Sequence, residues 1–315
     1  MPRIFLLRFW LTALLLLAPG WLSAQTTTGT KVIGRIIAAK VVGNVTVTDT
    51  RDPMRPRKLS ERDELTQDQL IVTGEDARVL LVFSNGATVN LAAKSSLLIN
   101  EFLQDPFSQP VKASEMVDEP TTSSTKLTLV RGELMSNVKH LRRDKGSNFS
   151  VQTPVGAAGI RGTTFQILYR PVGSVASYAL RMVEGKINLD FGGRARAVDV
   201  EKDQQVALDG LALDAAGRLV SLPANIKVTE IPASIKAALA LAQQQLLEAA
   251  ASVSFPAMTQ AAAPQEAYPQ SGGSAADGSG TGSGTGAAGV DSNPLSPVPP
   301  AVAAPPRTTP GDGKL

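Results

Sequence analysis

Residue types that do chemistry are sparse in this chain. There is one histidine, His140, inside Lys139-His140-Leu141-Arg142-Arg143-Asp144-Lys145, and there is no cysteine. One imidazole without thiolates cannot assemble a common zinc site. No serine stands in a Gly-x-Ser-x-Gly elbow, so the nucleophile of an α/β-hydrolase is unsupported. Glu133 and Glu184 both border glycines, but Glu133 follows Gly132 while Glu184 precedes Gly185. They are not equivalent partners, and no general acid–base pair emerges. Gly156-x-x-Gly159-x-x-Gly162 runs into Thr163-Thr164-Phe165-Gln166-Ile167. A dinucleotide fingerprint needs a helix N-terminus there, and this is a strand-type run. The chain reads as one that binds rather than catalyses, with no metal and no cofactor expected.

Two groups of residues are suited to binding. Arg161 lies between Gly159 and Gly162, followed by Thr163. A guanidinium and neighbouring amides in such a turn can hold a carboxylate or a phosphate. The alternative is structural, a tight crossover holding two sheets together. The second group is Lys139, Arg142 and Arg143, in a stretch bounded by Gly146. It is either ordinarily solvated or faces a lipid head group, a cell-wall polymer or an acidic protein surface. The long polar segment Asp105–Thr122, with several prolines, is a further recognition candidate because rigid scaffolds often carry binding residues on loops. A nucleic-acid partner is not expected. Formal net charge is +3, and losing Arg3 and Arg8 with a signal peptide leaves about +1.

The elements that must position these residues are strands. Val45 and Val47 alternate with Thr46 and Thr48. Ala77, Val79, Leu81 and Phe83 share one face, and Asn85-Gly86 then turns the chain toward Val89 and Leu91. Asn-Gly between alternating runs predicts a hairpin, since both residues accept positive φ. Leu80 and Val82 make that strand apolar on both faces, which predicts a central position. Ile187, Leu189 and Phe191 alternate with polar residues before Gly192-Gly193. A Val-x-Gly-x-apolar pattern recurs at Gly43, Gly132 and Gly185 with unequal spacing, as a repeated corner between strand pieces. Such runs imply a sandwich, barrel or solenoid over residues 26–225. Ile231, Ile235, Leu239, Ala242 and Leu246 fall at helical spacing, predicting an amphipathic helix over 230–252 with Pro232 in its first turn.

The ends read differently. Arg3 and Arg8, the apolar run 9–18, Pro19-Gly20 and Leu22-Ser23-Ala24 form a secretory signal over 1–24, cleaved between Ala24 and Gln25. The apolar run is shorter than the roughly 20 residues a spanning helix needs. Residues 256–315 are dominated by Ala, Gly, Ser, Pro and Thr, the composition of a disordered tail. The expected place is the periplasm or cell envelope, with membrane attachment only through a retained signal.

One run carries a family resemblance: Phe149-Ser-Val151-Gln-Thr153-Pro154-Val155-Gly156-Ala-Ala-Gly159-Ile160-Arg161-Gly162-Thr163-Thr164-Phe165. It resembles the FecR-domain signature, in which a strand, Thr-Pro and a glycine-punctuated turn ending Arg-Gly-Thr lead to an aromatic that opens the next strand. Leu127–Leu134, Val183–Leu189 and Asp68–Leu91 are similar to the flanking parts. The resemblance implies an all-β, compact solenoid- or sandwich-like FecR-type domain, here followed by one helix and the tail. Function inferred through it is a binding or scaffolding module for an envelope protein or glycan. FecR-type regulators relay the state of an outer-membrane receptor to a sigma factor through a cytoplasmic N-terminal segment and one membrane span. With a cleaved signal this chain departs from that plan, so the alternative is a soluble accessory role in such signalling. An envelope enzyme is the third, unrelated reading.

Overall fold

A computed structural model describes residues 31–259. The expected signal peptide, its Ala24–Gln25 cleavage site and nearly all of the expected tail lie outside the described residues.

Alternating hydrophobic runs produce fourteen principal strands in chain order: β1 (Ile36–Val42), β2 (Val45–Asp49), β3 (Gln69–Thr73), β4 (Arg78–Phe83), β5 (Thr88–Leu91), β6 (Ser96–Gln104), β7 (Ser123–Asn137), β8 (Asn148–Gln152), β9 (Ala157–Ile160), β10 (Thr164–Val172), β11 (Val175–Glu184), β12 (Lys186–Asp190), β13 (Val198–Glu201) and β14 (Gln204–Ala212). They form two sheets packed face to face. The first runs β2-β3-β6-β7-β8-β9-β12-β13, and the second runs β1-β4-β5-β7-β10-β11-β14. Pairing is antiparallel throughout these sheets except between β7 and β8. The expected all-β domain followed by one helix is what forms, and its sheets do not close into a barrel.

The long strand β7 belongs to both sheets. Its first part pairs with β6 and β8, and from Gly132 onward it pairs with β5 and β10. Gly132 has φ +97°, and a Cβ there would collide with Ser95, so only glycine lets the strand turn the corner. Gly43 joins β1 to β2 and Gly185 joins β11 to β12, each at a passage between sheets. The recurring Val-x-Gly-x-apolar pattern is therefore the device that folds one layer onto the other.

Inward residues of both sheets fill the main core, including Val79, Leu81, Phe83, Phe102, Phe149, Phe165 and Ile187, all essentially buried. Phe83 meets Phe102 edge-on at 5.2 Å between ring centres, a favoured aromatic geometry. Strand β4 is central in its sheet, between β1 and β5. Its other face, Leu80 and Val82, packs in a second core with Met135, Leu239, Leu246 and Ala250. That core lies under helix α1 (Ala233–Ala251), which begins after Pro232. Burying this stripe on a sheet is what stabilises so alanine-rich a helix. Strand pairing continues beyond residue 225: Val228–Glu230 lies against β14, and Ser254–Phe255 pairs with Val111–Lys112. No helix among the described residues is long and apolar enough to cross a membrane.

Candidate functional site

The Thr-Pro run is a hairpin turn between β8 and β9. The Thr153 hydroxyl accepts from the amides of Val155 and Gly156 at 3.2 and 3.1 Å and donates to the Gly156 carbonyl at 2.9 Å. Arg194 donates to the carbonyls of Pro154 and Val155 at 2.9 and 2.8 Å. This half of the motif is thus satisfied internally. Beyond β9, Arg161-Gly162-Thr163 carries the chain from the first sheet into β10 of the second. The motif is a crossover, as its structural reading expects.

The crossover also meets the basic segment. Gly162 has φ +85°, and a Cβ there would sit 2.8 Å from His140 Nδ1 and 3.1 Å from His140 Cα. The Val138 amide donates to the Thr163 carbonyl at 3.0 Å. The turn of Gly159–Thr163 therefore packs directly on the segment that carries Lys139, Arg142 and Arg143. Arg161 and Gly159 are exposed, and nothing stands near Gly159 on the outer face of its sheet. Thr163 differs: it is 3% exposed, and its hydroxyl has no partner, so it faces the interior.

In the basic segment, Arg143 and Lys145 are exposed on a short 3-10 turn ended by Gly146. Lys139 and Arg142 are half-buried. Burial holds the Lys139 ammonium below the ordinary lysine range, because a charge is less favourable away from water. None of Lys139, Arg142, Arg143, Lys145 and Arg161 forms an ion pair among the described residues, whereas Arg35, Arg57, Lys126, Arg170 and Lys186 all do. The cations of this corner are thus free of direct ion pairs, although Asp199 feels the charge of Arg161 and the Glu119 carboxylate lies against the Arg142 backbone.

Sequence reasoning misses what holds this segment. Glu119 is fully buried. Its carboxylate accepts from the Ser123 hydroxyl at 2.7 Å and from the Arg142 amide at 2.6 Å. Its own amide donates to the His140 carbonyl at 3.0 Å, and Arg142 Nε donates to its carbonyl at 3.2 Å. The segment Asp105–Thr122 is correspondingly not a free recognition loop. Phe107, Ala113, Met116 and Glu119 are buried, and Met116 and Lys139 both press on Gly86 at the β4–β5 turn. In sequence only the irregular apolar residues of that segment hint at this.

No group of three or more His, Asp and Glu side chains that could hold a metal occurs among the described residues. Every aromatic side chain among them is buried: Phe83, Phe102, Phe107, Phe149, Phe165, Phe191, Phe255, Tyr169 and Tyr178.

Comparison with known families places a match over this region. The family model described as FecR protein matches residues 69–188, from the start of β3 into β12, and so includes the whole basic corner. Two crystal structures of a proposed anti-sigma factor from Parabacteroides distasonis, at 1.65 and 2.50 Å, match part of this chain at 14% identity with a TM-score of 0.36. Each match covers 52% of this chain and 61% of that one, so the chain spans less than two thirds of their length. No curated protein matches.

Proposed function

We propose that this chain, which carries a FecR domain over residues 69–188, is a non-enzymatic protein-binding module of the cell envelope. Its contact surface is the corner of Lys139, Arg142, Arg143, Lys145 and Arg161, with the exposed backbone at Gly159 beside it. The observation that carries this is the packing of Gly162 on His140, which brings the turn carrying Arg161 against the segment carrying Lys139, Arg142 and Arg143, none of these cations forming a direct ion pair among the described residues. Unpaired cations held on a rigid scaffold attract and orient an acidic surface.

A protein fits this surface better than a glycan. Sugar rings present C–H faces that commonly stack on exposed aromatic rings, and the described residues expose none. Carboxylates of an acidic segment need only the guanidinium and ammonium groups present. The envelope location rests on the signal pattern of residues 1–24. Mass spectrometry of the mature chain tests it: an N-terminus at Gln25 is expected, and an intact Met1 would contradict it.

The FecR match supports a second reading in which this module is a soluble accessory of FecR-type signalling, linked to an outer-membrane receptor and sigma-factor control. Affinity capture from envelope extracts separates the two. A receptor or FecR-type regulator retained by the wild type, and lost with Arg143→Glu and Arg161→Glu, selects the signalling reading. An acidic envelope protein of another kind selects the general one. Retention unaffected by those substitutions removes the corner as the contact surface.

A further inference from the structure

Resting on the reading of the corner as the contact surface, we infer that Glu119 is its positioning residue, and that the C-terminal arm holds Glu119 in place. A buried carboxylate is costly unless its oxygens are hydrogen-bonded. Glu119 meets that requirement by gripping the segment that carries the cations. One oxygen takes the Arg142 amide and the other takes the Ser123 hydroxyl. Ser123 is fixed in turn, since its oxygen accepts from Asn85 Nδ2 at 3.1 Å and its amide donates to Ser147 Oγ at 3.1 Å. The carboxylate thus ties the basic segment to the β4–β5 turn and to the start of β7. Its backbone adds a short parallel bridge between Asp118 and His140, the residue against which Gly162 packs.

The segment bearing Glu119 has little regular structure of its own. It is held from the other side by residues after α1. Phe107 and Met258 exchange amide-to-carbonyl bonds of 2.9 and 2.8 Å, Val111–Lys112 pairs with Ser254–Phe255, and the Ala113 amide donates to the Val253 carbonyl at 3.1 Å. Phe107, Ala113, Val253, Phe255 and Met258 share the second core with α1. The arm over residues 231–258 therefore fixes residues 107–113, and Glu119 fixes the basic segment at His140 and Arg142.

Charge and position act with opposite signs at Glu119. Glu119→Ala removes an acid beside a basic cluster, so charge alone would tighten binding of an acidic ligand. Positioning requires the opposite. With poly-L-glutamate as the probe, Glu119→Ala is expected to weaken binding about tenfold, while retaining a cooperative unfolding transition. Glu119→Gln keeps a carbonyl oxygen for the Arg142 amide and is expected to recover part of the loss. Phe107→Ala changes no charge and lies in the arm-held part; it is expected to weaken binding several-fold. Unchanged or tighter binding by folded Glu119→Ala overturns the role of Glu119, and unchanged binding by Phe107→Ala overturns the role of the arm. Should Glu119→Ala fail to fold, amide exchange in the wild type decides: a protected Arg142 amide supports the clamp, and one exchanging like an open loop overturns it. A wild type that does not bind poly-L-glutamate defeats the reading of the corner itself, while Arg142 exchange still decides whether Glu119 grips the segment.

Discussion

Arg161 and Arg170 lie at the two ends of one stretch of chain and meet different fates. Arg170, on β10, donates to Glu133 Oε2 at 2.7 Å. Glu133 also accepts from Gln166 at 2.6 Å, Gln166 accepts from Arg181 at 2.7 Å, and Arg181 donates to Gln205 at 3.1 Å. This ladder crosses β7, β10, β11 and β14 on the outer face of the second sheet. Burial is the main influence on Arg181 and lowers it from the ordinary arginine range. At the corner, Arg161 and its neighbours have no such chain of partners. Arg170 and Arg181 are taken up by cross-strand contacts, while Arg161, at the crossover, makes no ion pair among the described residues. Register is what gives Arg170 its partner, because it sets Glu133 beside it across the strands.

Substitutions can break or sharpen that contrast. The largest effect is expected at the bend of β7 beside the ladder. Gly132→Ala forces a side chain into positive φ and against Ser95, and should cost ~3 kcal/mol in denaturant unfolding. Gly162→Ala, at the bend beside the corner, also forces a side chain into positive φ and meets His140 first. A loss of ~2 kcal/mol is expected, together with weaker binding of an acidic peptide as the two basic segments move apart. Next is Glu133→Ala, which leaves Gln166 and Arg170 without their acceptor. It should cost ~1–2 kcal/mol, yet leave acidic-peptide affinity unchanged. Smallest in stability is Arg143→Ala, an exposed and unpaired side chain. Its unfolding free energy should stay within ~0.5 kcal/mol of wild type, while its affinity falls. Equal binding losses at Glu133 and Arg143 would erase the distinction between ladder and corner.

Much of this architecture was legible in the residues. The double-faced apolar pattern of β4 required cover on both sides, and Leu80 and Val82 do lie under α1. Asn85-Gly86 makes its turn, and the three Val-x-Gly-x-apolar corners sit where strands pass between sheets. Local signals of this kind survive because period and turn chemistry act over a few residues. What the residues hid depends on distant contacts. Asp105–Thr122 looks like a polar loop, because Phe107, Ala113 and Met116 are too irregularly spaced to reveal a buried face. Glu119 looks like one more surface acid, since its partners Ser123 and Arg142 come together only through the fold. Glu133 was weighed against Glu184, yet its partner is Arg170, four residues beyond Gln166 on β10. Register decides that pairing, and no local pattern in β7 announces it.

The corner is the contact surface proposed for this chain. Its most direct test is the affinity of the full chain for a captured acidic partner, or for poly-L-glutamate, across a salt series. Wild type is compared with Arg143→Glu/Arg161→Glu and with the ladder substitution Arg170→Glu. Wild-type affinity should fall as salt rises, since exposed charges are screened over about 8–10 Å near physiological ionic strength. The corner pair should lose at least about tenfold, and Arg170→Glu should lose little. Equal losses from the two, or wild-type binding indifferent to salt, would contradict the account.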